Sequence, residues 1–201
     1  MKRTAAAKSQ EPRAKSQPAA STNGNGAHQH GPHCNHDHGH EHGHGHAGIV
    51  AEIRLFTKAD HKQLTEIWKA GHIDIDACDT AAMIEKNMRT RKQGYRLFVI
   101  STQEMDEDGQ PVGKPRIAGG ATVTFDGRRA YVYQFAVHPD FRGLGLGRAL
   151  LSTCEKEAAS WGATQLRLTA RADGSRAIAQ KLYESEGWKP AKDLWVYGKK
   201  L

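Results

Sequence analysis

The segment Val137 to Leu151, V-H-P-D-F-R-G-L-G-L-G-R-A-L-L, has the residue types and spacing of an anion cradle. Glycines at the start of a helix let the backbone approach a ligand closely. The unpaired N–H groups of the first helical turn point at that ligand, and the helix dipole favours negative charge there. Arg142 and Arg148 bracket the glycines and add cationic donors. The ligand expected from these features is a phosphate or diphosphate group. Two common phosphate loops do not fit. A P-loop needs Lys and Ser or Thr after its last glycine, whereas Gly147 is followed by Arg148-Ala149. A dinucleotide fingerprint needs Gly-x-Gly-x-x-Gly, but counting from Gly143 ends on Arg148 and counting from Gly145 ends on Leu150. No acidic residue follows about 20 positions later to hold a ribose hydroxyl.

A second chemical cluster lies far upstream. His28, His30, His33, His36, His38, His40, His42, His44 and His46 stand with Cys34, Asp37 and Glu41 inside residues 28–46. Imidazoles suit zinc, nickel and copper, and Cys34 beside His33 and His36 favours zinc or copper. The tract is interspersed with glycines and acids, so it offers many registers and little fixed geometry. Residues 1–48 contain no Val, Ile, Leu, Phe, Trp or Tyr. Such a stretch cannot bury enough apolar surface to offset the entropy of ordering, and it reads as a disordered tail. Residues 49–201 are expected to form one domain.

The glycine loop has to be positioned by the elements around it. Ile49 to Phe56 alternates as a strand does. Lys58-Ala59-Asp60 opens a helix with Leu64, Ile67 and Trp68 on one face, and Asp79 or Thr80 caps a second helix that Gly94 ends. Arg96 to Ser101 reads as a buried strand followed by a polar loop. Ile117 to Phe125 reads as a strand broken at Gly119-Gly120. Asp126-Gly127 between two alternating runs predicts a hairpin with a type I′ turn, its second arm reaching Val137. After the glycines, Leu146, Leu150, Cys154 and Trp161 follow helical spacing up to Gly162. Gln165 to Thr169 reads as a strand, Ser175 to Glu186 as a helix, and Trp188 with Leu194 to Tyr197 as one or two closing strands. This order implies an α/β or α+β fold with a partly antiparallel sheet.

The pattern Arg142-x-x-Gly145-x-Gly147 resembles the acetyl-CoA motif of the GNAT superfamily of N-acetyltransferases. About 40 residues later, L-Y-E-S-E-G-W at 182–188 is similar to that family's second landmark. The resemblance spans roughly residues 50–201 and is to small bacterial single-domain members. It implies a mixed, mostly antiparallel, splayed sheet flanked by helices, with acetyl-CoA as cosubstrate. Main-chain groups of Phe135, Ala136 and Val137 would take the pantetheine arm. Arg142, Gly143, Leu144, Gly145, Leu146, Gly147 and Arg148 would hold the diphosphate. Tyr183 matches the family tyrosine near the sulfur and would serve as general acid. Many members carry a Glu on the strand before the loop; here that strand is A-Y-V-Y-Q-F-A-V, and Tyr133 or Gln134 relaying a water stands in its place. The acceptor would be an amine of a small molecule or protein, met near Trp68 to Thr80, where Asp74, Asp76 and Asp79 form an acidic cluster.

Composition narrows the alternatives. The formal charge is +7, of which the tail holds five Lys/Arg against three Asp/Glu. The basic excess is modest, and neither a basic-aromatic run nor zinc-finger spacing points to nucleic acid. Cys34, Cys78 and Cys154 are odd in number and far apart, which fits a reducing, cytoplasmic setting without a disulfide framework. No apolar run approaches a membrane span, and the basic start lacks the apolar segment of a secretory signal. Three readings remain: an acetyl-CoA-dependent N-acetyltransferase, a metal-binding protein with this domain as scaffold or regulated module, and an acetyl-CoA-binding module without catalysis.

Overall fold

A computed structural model describes residues 48–170, 177–191, 196–197 and 199. All of them lie in one unit of the chain, Gly43–Leu201. The histidine tract and its expected metal ligands, His28 to His46 with Cys34, lie outside the described residues.

The described strands form one sheet in the order β1 (Gly48–Leu55), β2 (Tyr95–Met105), β3 (Pro111–Phe125), β4 (Ala130–Val137) and β5 (Leu166–Leu168). Every neighbouring pair is antiparallel except β4 and β5, which run parallel. Helices α1 (His61–Ala70) and α2 (Ala81–Thr90) cover one face, and α3 (Leu146–Ser160) covers the other. Helix α4 (Ala177–Ser185) follows β5. The fold is the mixed, mostly antiparallel α/β architecture expected.

Alternation along β2 builds both cores. Leu97 and Val99 pack with Leu64, Trp68 and Ile84 of the first two helices. Phe98 and Ile100 point the other way, to Leu150 and Cys154 of α3. Strand side chains alternate faces, so one apolar run can serve two layers. Fully burying a Leu or Ile contributes about 1.5–3 kcal/mol, and Leu64, Trp68, Ile84, Leu97, Ile100, Leu150 and Leu151 are all closed to solvent.

Several expectations need correction. Residues 102–116 form no loop apart from the turn after Met105. They extend β2 and β3 into a long hairpin, in which Asp106 Oδ1 accepts from the amides of Asp108 and Gln110 at 3.0 and 2.7 Å. Backbone pairing needs no apolar side chains, so polar alternation there concealed the strands. Strand β3 also runs unbroken through Gly119-Gly120. A Cβ on Gly119 would strike the Ala136 carbonyl, and one on Gly120 would come within 2.8 Å of Phe98 O. These glycines mark close approach and not a break. The hairpin after β3 exists, but Phe125 pairs with Ala130, leaving a four-residue turn in place of the expected two-residue one. Only Gly127 among its residues has positive φ, at 89°. Asp126 Oδ1 closes the turn by accepting from Arg128 N and Arg129 N, each at 2.7 Å.

Of the two candidate caps for α2, Thr80 is the N-cap, its hydroxyl accepting from Met83 N at 3.4 Å. Trp188 is in no strand, and neither are Val196 and Tyr197. Leu194 and Trp195 lie outside the described residues, as does the first part of the helix expected from Ser175.

Candidate active site

Strand β4 pairs with β5 only at Ala130, Tyr131 and Val132. Beyond Val132 the edge of β4 that faces β5 makes no further pairing among the described residues, although the strand continues to Val137. The two parallel strands therefore part, and a cavity of about 910 Å³ opens where they do. Its walls come from Phe135, Ala136 and Val137 of β4, the loop from Arg142 into α3, the end of α1, and Ala177, Ile178 and Leu182 of α4.

A bulge sets which β4 side chains face this space. Gly120 pairs with Ala136 but Thr122 pairs with Tyr133, so β4 holds one extra residue against Ala121. Gln134 has φ 53°, a left-handed value for a non-glycine residue. The bulge reverses the strand's parity. Val132, Phe135 and Val137 consequently all pack on the α3 side, while Ala136 faces α1. Two bonds support it: Trp68 Nε1 donates to Gln134 O at 3.1 Å, and Thr122 Oγ1 donates to Gln134 Oε1 at 2.8 Å. Thr122 is buried, and the nearby Tyr95 phenol is pushed up to about 12 by burial.

The glycine loop has the form its residues imply. Gly143 and Gly145 take φ values of 80° and 76°, the region that glycine alone enters without cost. Gly145 is the N-cap of α3 and offers no side-chain cap, so the helix begins at Leu146 with its first amides lacking intrahelical partners. Gly147 is needed for a different reason. A Cβ there would lie 3.2 Å from Leu182 Cδ2, so its absence lets α4 approach α3. Arg142 Nε donates to Val137 O at 3.1 Å, and Arg148 Nε donates to Glu186 Oε1 at 2.6 Å.

Of the ten residues expected to bind the cofactor, nine line the cavity and Leu144 does not; it is 59 % exposed. Part of the Val137 carbonyl's capacity is taken by Arg142. Neither Tyr133 nor Gln134, the expected water relay, is among the lining residues. Tyr133 stacks on Tyr131 with ring centroids 5.9 Å apart, its phenol raised by partial burial and by Tyr131, and the Gln134 amide is held by Thr122. The physical reason is the bulge, which hands the cavity-facing role to Phe135.

Tyr183 is also not among the lining residues, but it packs on Phe135, which is. Its ring meets Phe135 edge to face at 5.9 Å and Trp188 at 6.1 Å, and Trp188 Nε1 is anchored on Glu155 at 2.7 Å. The acidic cluster is partly local structure. Asp79 is buried and its Oδ2 accepts from Asp76 N at 2.7 Å, closing the turn before α2. Ala70, Gly71, His72 and Ile73, from the segment expected to meet the acceptor, line the cavity, and Ile67 lines it without having been expected there.

A family model described as the acetyltransferase (GNAT) family matches residues 57–188. An acetyltransferase of Yersinia enterocolitica is 30 % identical over 152 residues, covering 75 % of this chain and 95 % of the relative. An acetyltransferase of Sodalis glossinidius is 29 % identical over 150 residues, with the same coverage of 75 % and 95 %. Among solved structures, an acetyltransferase with acetyl-CoA from Clostridium acetobutylicum superposes with a TM-score of 0.53 at 15 % identity, covering 74 % of this chain and 96 % of that one. The parted β4 and β5, the glycine turn into α3 and these similarities converge: the chain belongs to the acetyltransferase (GNAT) family and is an acetyl-CoA-dependent acetyltransferase.

Proposed function

We propose that residues 49–201 transfer the acetyl group of acetyl-CoA to a primary amine by direct attack on the thioester. The observation that carries this reading is the cavity at the parting of β4 from β5, closed at one end by the glycine turn. The diphosphate docks on the first amides of α3, where the helix dipole and Arg148 favour negative charge. The pantetheine arm runs along Phe135 to Val137, completing the edge that β5 leaves open. This places the thioester toward the Gln134 bulge and the end of α1.

The amine lone pair forms the C–N bond, and the carbonyl becomes a tetrahedral oxyanion. Collapse of that oxyanion breaks the C–S bond and releases the CoA thiolate. Tyr183 supplies the thiolate's proton, a role supported by its ring contact with Phe135 on the cavity wall. The test is thiol release from acetyl-CoA across a panel of amines, comparing the protein with Tyr183→Phe. A general acid contributes about 10²-fold or more, so kcat should fall by that order while the KM for acetyl-CoA stays close to its starting value. Equal turnover by both would overturn the acid role, and no amine-dependent thiol release by the unaltered protein would overturn the transfer itself.

Residues 1–48 are assigned a separate role as a metal-binding tail, supported by nine histidines and Cys34 within residues 28–46. Zinc, nickel and copper titrations of the full chain against a chain beginning at Gly48 test it. Equal uptake by the two would remove the tail from consideration.

A further inference from the structure

The C-terminal end of α1 is built in an unusual way. Gly71 caps the helix, His72 N donates to Lys69 O at 3.0 Å, and Ile73 N donates to Trp68 O at 2.9 Å. This is the two-bond motif that ends many helices, and its left-handed position is normally glycine. Here that position is His72, at φ 51°. The glycine stands one position earlier, at φ −84°, where an added Cβ would lie 3.3 Å from Ile67 O. A histidine kept at a left-handed position that glycine would fill more cheaply points to a use for its side chain.

The path of α1 shows where that side chain is delivered. Gln63 Oε1 accepts from Ile117 N of β3 at 3.0 Å, and five residues later Trp68 donates to Gln134 O of β4. The helix thus crosses the sheet from β3 to β4. Two more residues, about 3 Å, end the helix at Ala70, and Gly71 leads the chain to His72. His72 accordingly lines the same cavity as Phe135 and Ala136. Among the described lining residues, the ionisable side chains are His72, Arg142 and Arg148. An arginine is protonated at all relevant pH values and accepts nothing. A neutral imidazole can take up a proton at a ring nitrogen.

We propose that His72 is the general base of the transfer, taking the proton from the attacking amine. This rests on the amine-acetylation reading above. As the amine nitrogen bonds to the acetyl carbon, its proton passes to the His72 ring, while the C–S electron pair leaves with the CoA sulfur and is protonated by Tyr183. The resulting imidazolium returns its proton to solvent, and Tyr183 regains one.

His72→Gly is the informative substitution, because glycine suits the left-handed backbone. The variant should melt no lower than the unaltered full chain. Its kcat should fall about 100-fold or more, with the KM for acetyl-CoA changed less than about twofold, as expected for a group that leaves cofactor binding alone. Millimolar imidazole should restore part of the lost rate. A kcat within about threefold of the unaltered protein would overturn the proposal.

A second measurement needs no acceptor. The His72 ring signals, assigned in nuclear magnetic resonance spectra by their loss in His72→Gly, should differ between the CoA and acetyl-CoA complexes. Identical signals in the two would remove the ring from the acetyl end and overturn the base. A difference without turnover on any amine would instead count against the amine as acceptor, leaving the position of His72 supported.

Discussion

Arg148 and Glu186 meet at 2.6 Å across 38 residues of sequence. Arg148 is in the first turn of α3 and Glu186 directly follows α4, so the pair ties together the two helices that flank the cavity mouth. The same guanidinium lines the cavity and stands where a diphosphate would dock. It therefore serves the local fold and lines the cavity at once.

Arg148→Ala should raise the KM for acetyl-CoA about five- to tenfold with kcat little changed, the signature of binding shared by ground and transition states. Glu186→Gln should have a small effect on stability. The Arg148 side chain is 60 % exposed, and exposed pairs contribute about 0.5 kcal/mol, or roughly 1–2 °C in melting temperature. Steady-state kinetics and thermal melts of the two variants separate these roles.

Gly145 and Gly147 should fail for different reasons. Gly145 has φ 76° with nothing within 4 Å of an added Cβ. Gly145→Ala should cost about 1 kcal/mol through backbone strain alone. Gly147 lies within α3, and its Cβ would press on Leu182. Gly147→Ala should move α4 and weaken acetyl-CoA binding more than it lowers the melting temperature. Calorimetric titration with CoA beside thermal unfolding checks the contrast.

Asp60 should make the fold sensitive to acid. Burial alone would push its carboxyl up. That is outweighed by hydrogen bonds from Arg54 and from the amide and hydroxyl of Thr57, which hold it below the ordinary value. A carboxylate depressed in the folded state stabilises it above the unfolded pKa of about 3.9, and that stabilisation is lost as pH falls through the lower folded value. Asp60→Asn should cost about 2 kcal/mol at pH 7, reduced from a fully buried pair because Arg54 is partly exposed. The difference between the two proteins should shrink below about pH 4; denaturant unfolding between pH 3 and 7 measures it.

Trp68→Phe keeps the aromatic core and removes the bond to Gln134 O. It should cost about 1 kcal/mol for the lost hydrogen bond and loosen the bulge that turns Phe135 toward the cavity. Amide hydrogen exchange at Gln134 and Phe135 should rise relative to the rest of β4.

The segment from Arg142 to Arg148 was legible in the sequence because its chemistry is local. Positive φ, helix capping and free amides depend on residues within a few positions of one another, and these glycines announce them. The two-sided apolar runs of β2 and the helical spacing of α1 and α3 were readable for the same reason: their periods are those of the backbone. Tertiary structure alone decided what meets at the cavity. The bulge at Gln134 depends on Trp68 and Thr122, the contact of Gly147 depends on Leu182, and Glu186 reaches Arg148 only because α4 packs beside α3. His72 shows the division most clearly. The sequence presents a histidine after a glycine at a helix end. Only the crossing of α1 from β3 to β4 brings that histidine to the open edge of the sheet, because a side chain's distant neighbours are set by packing and not by spacing.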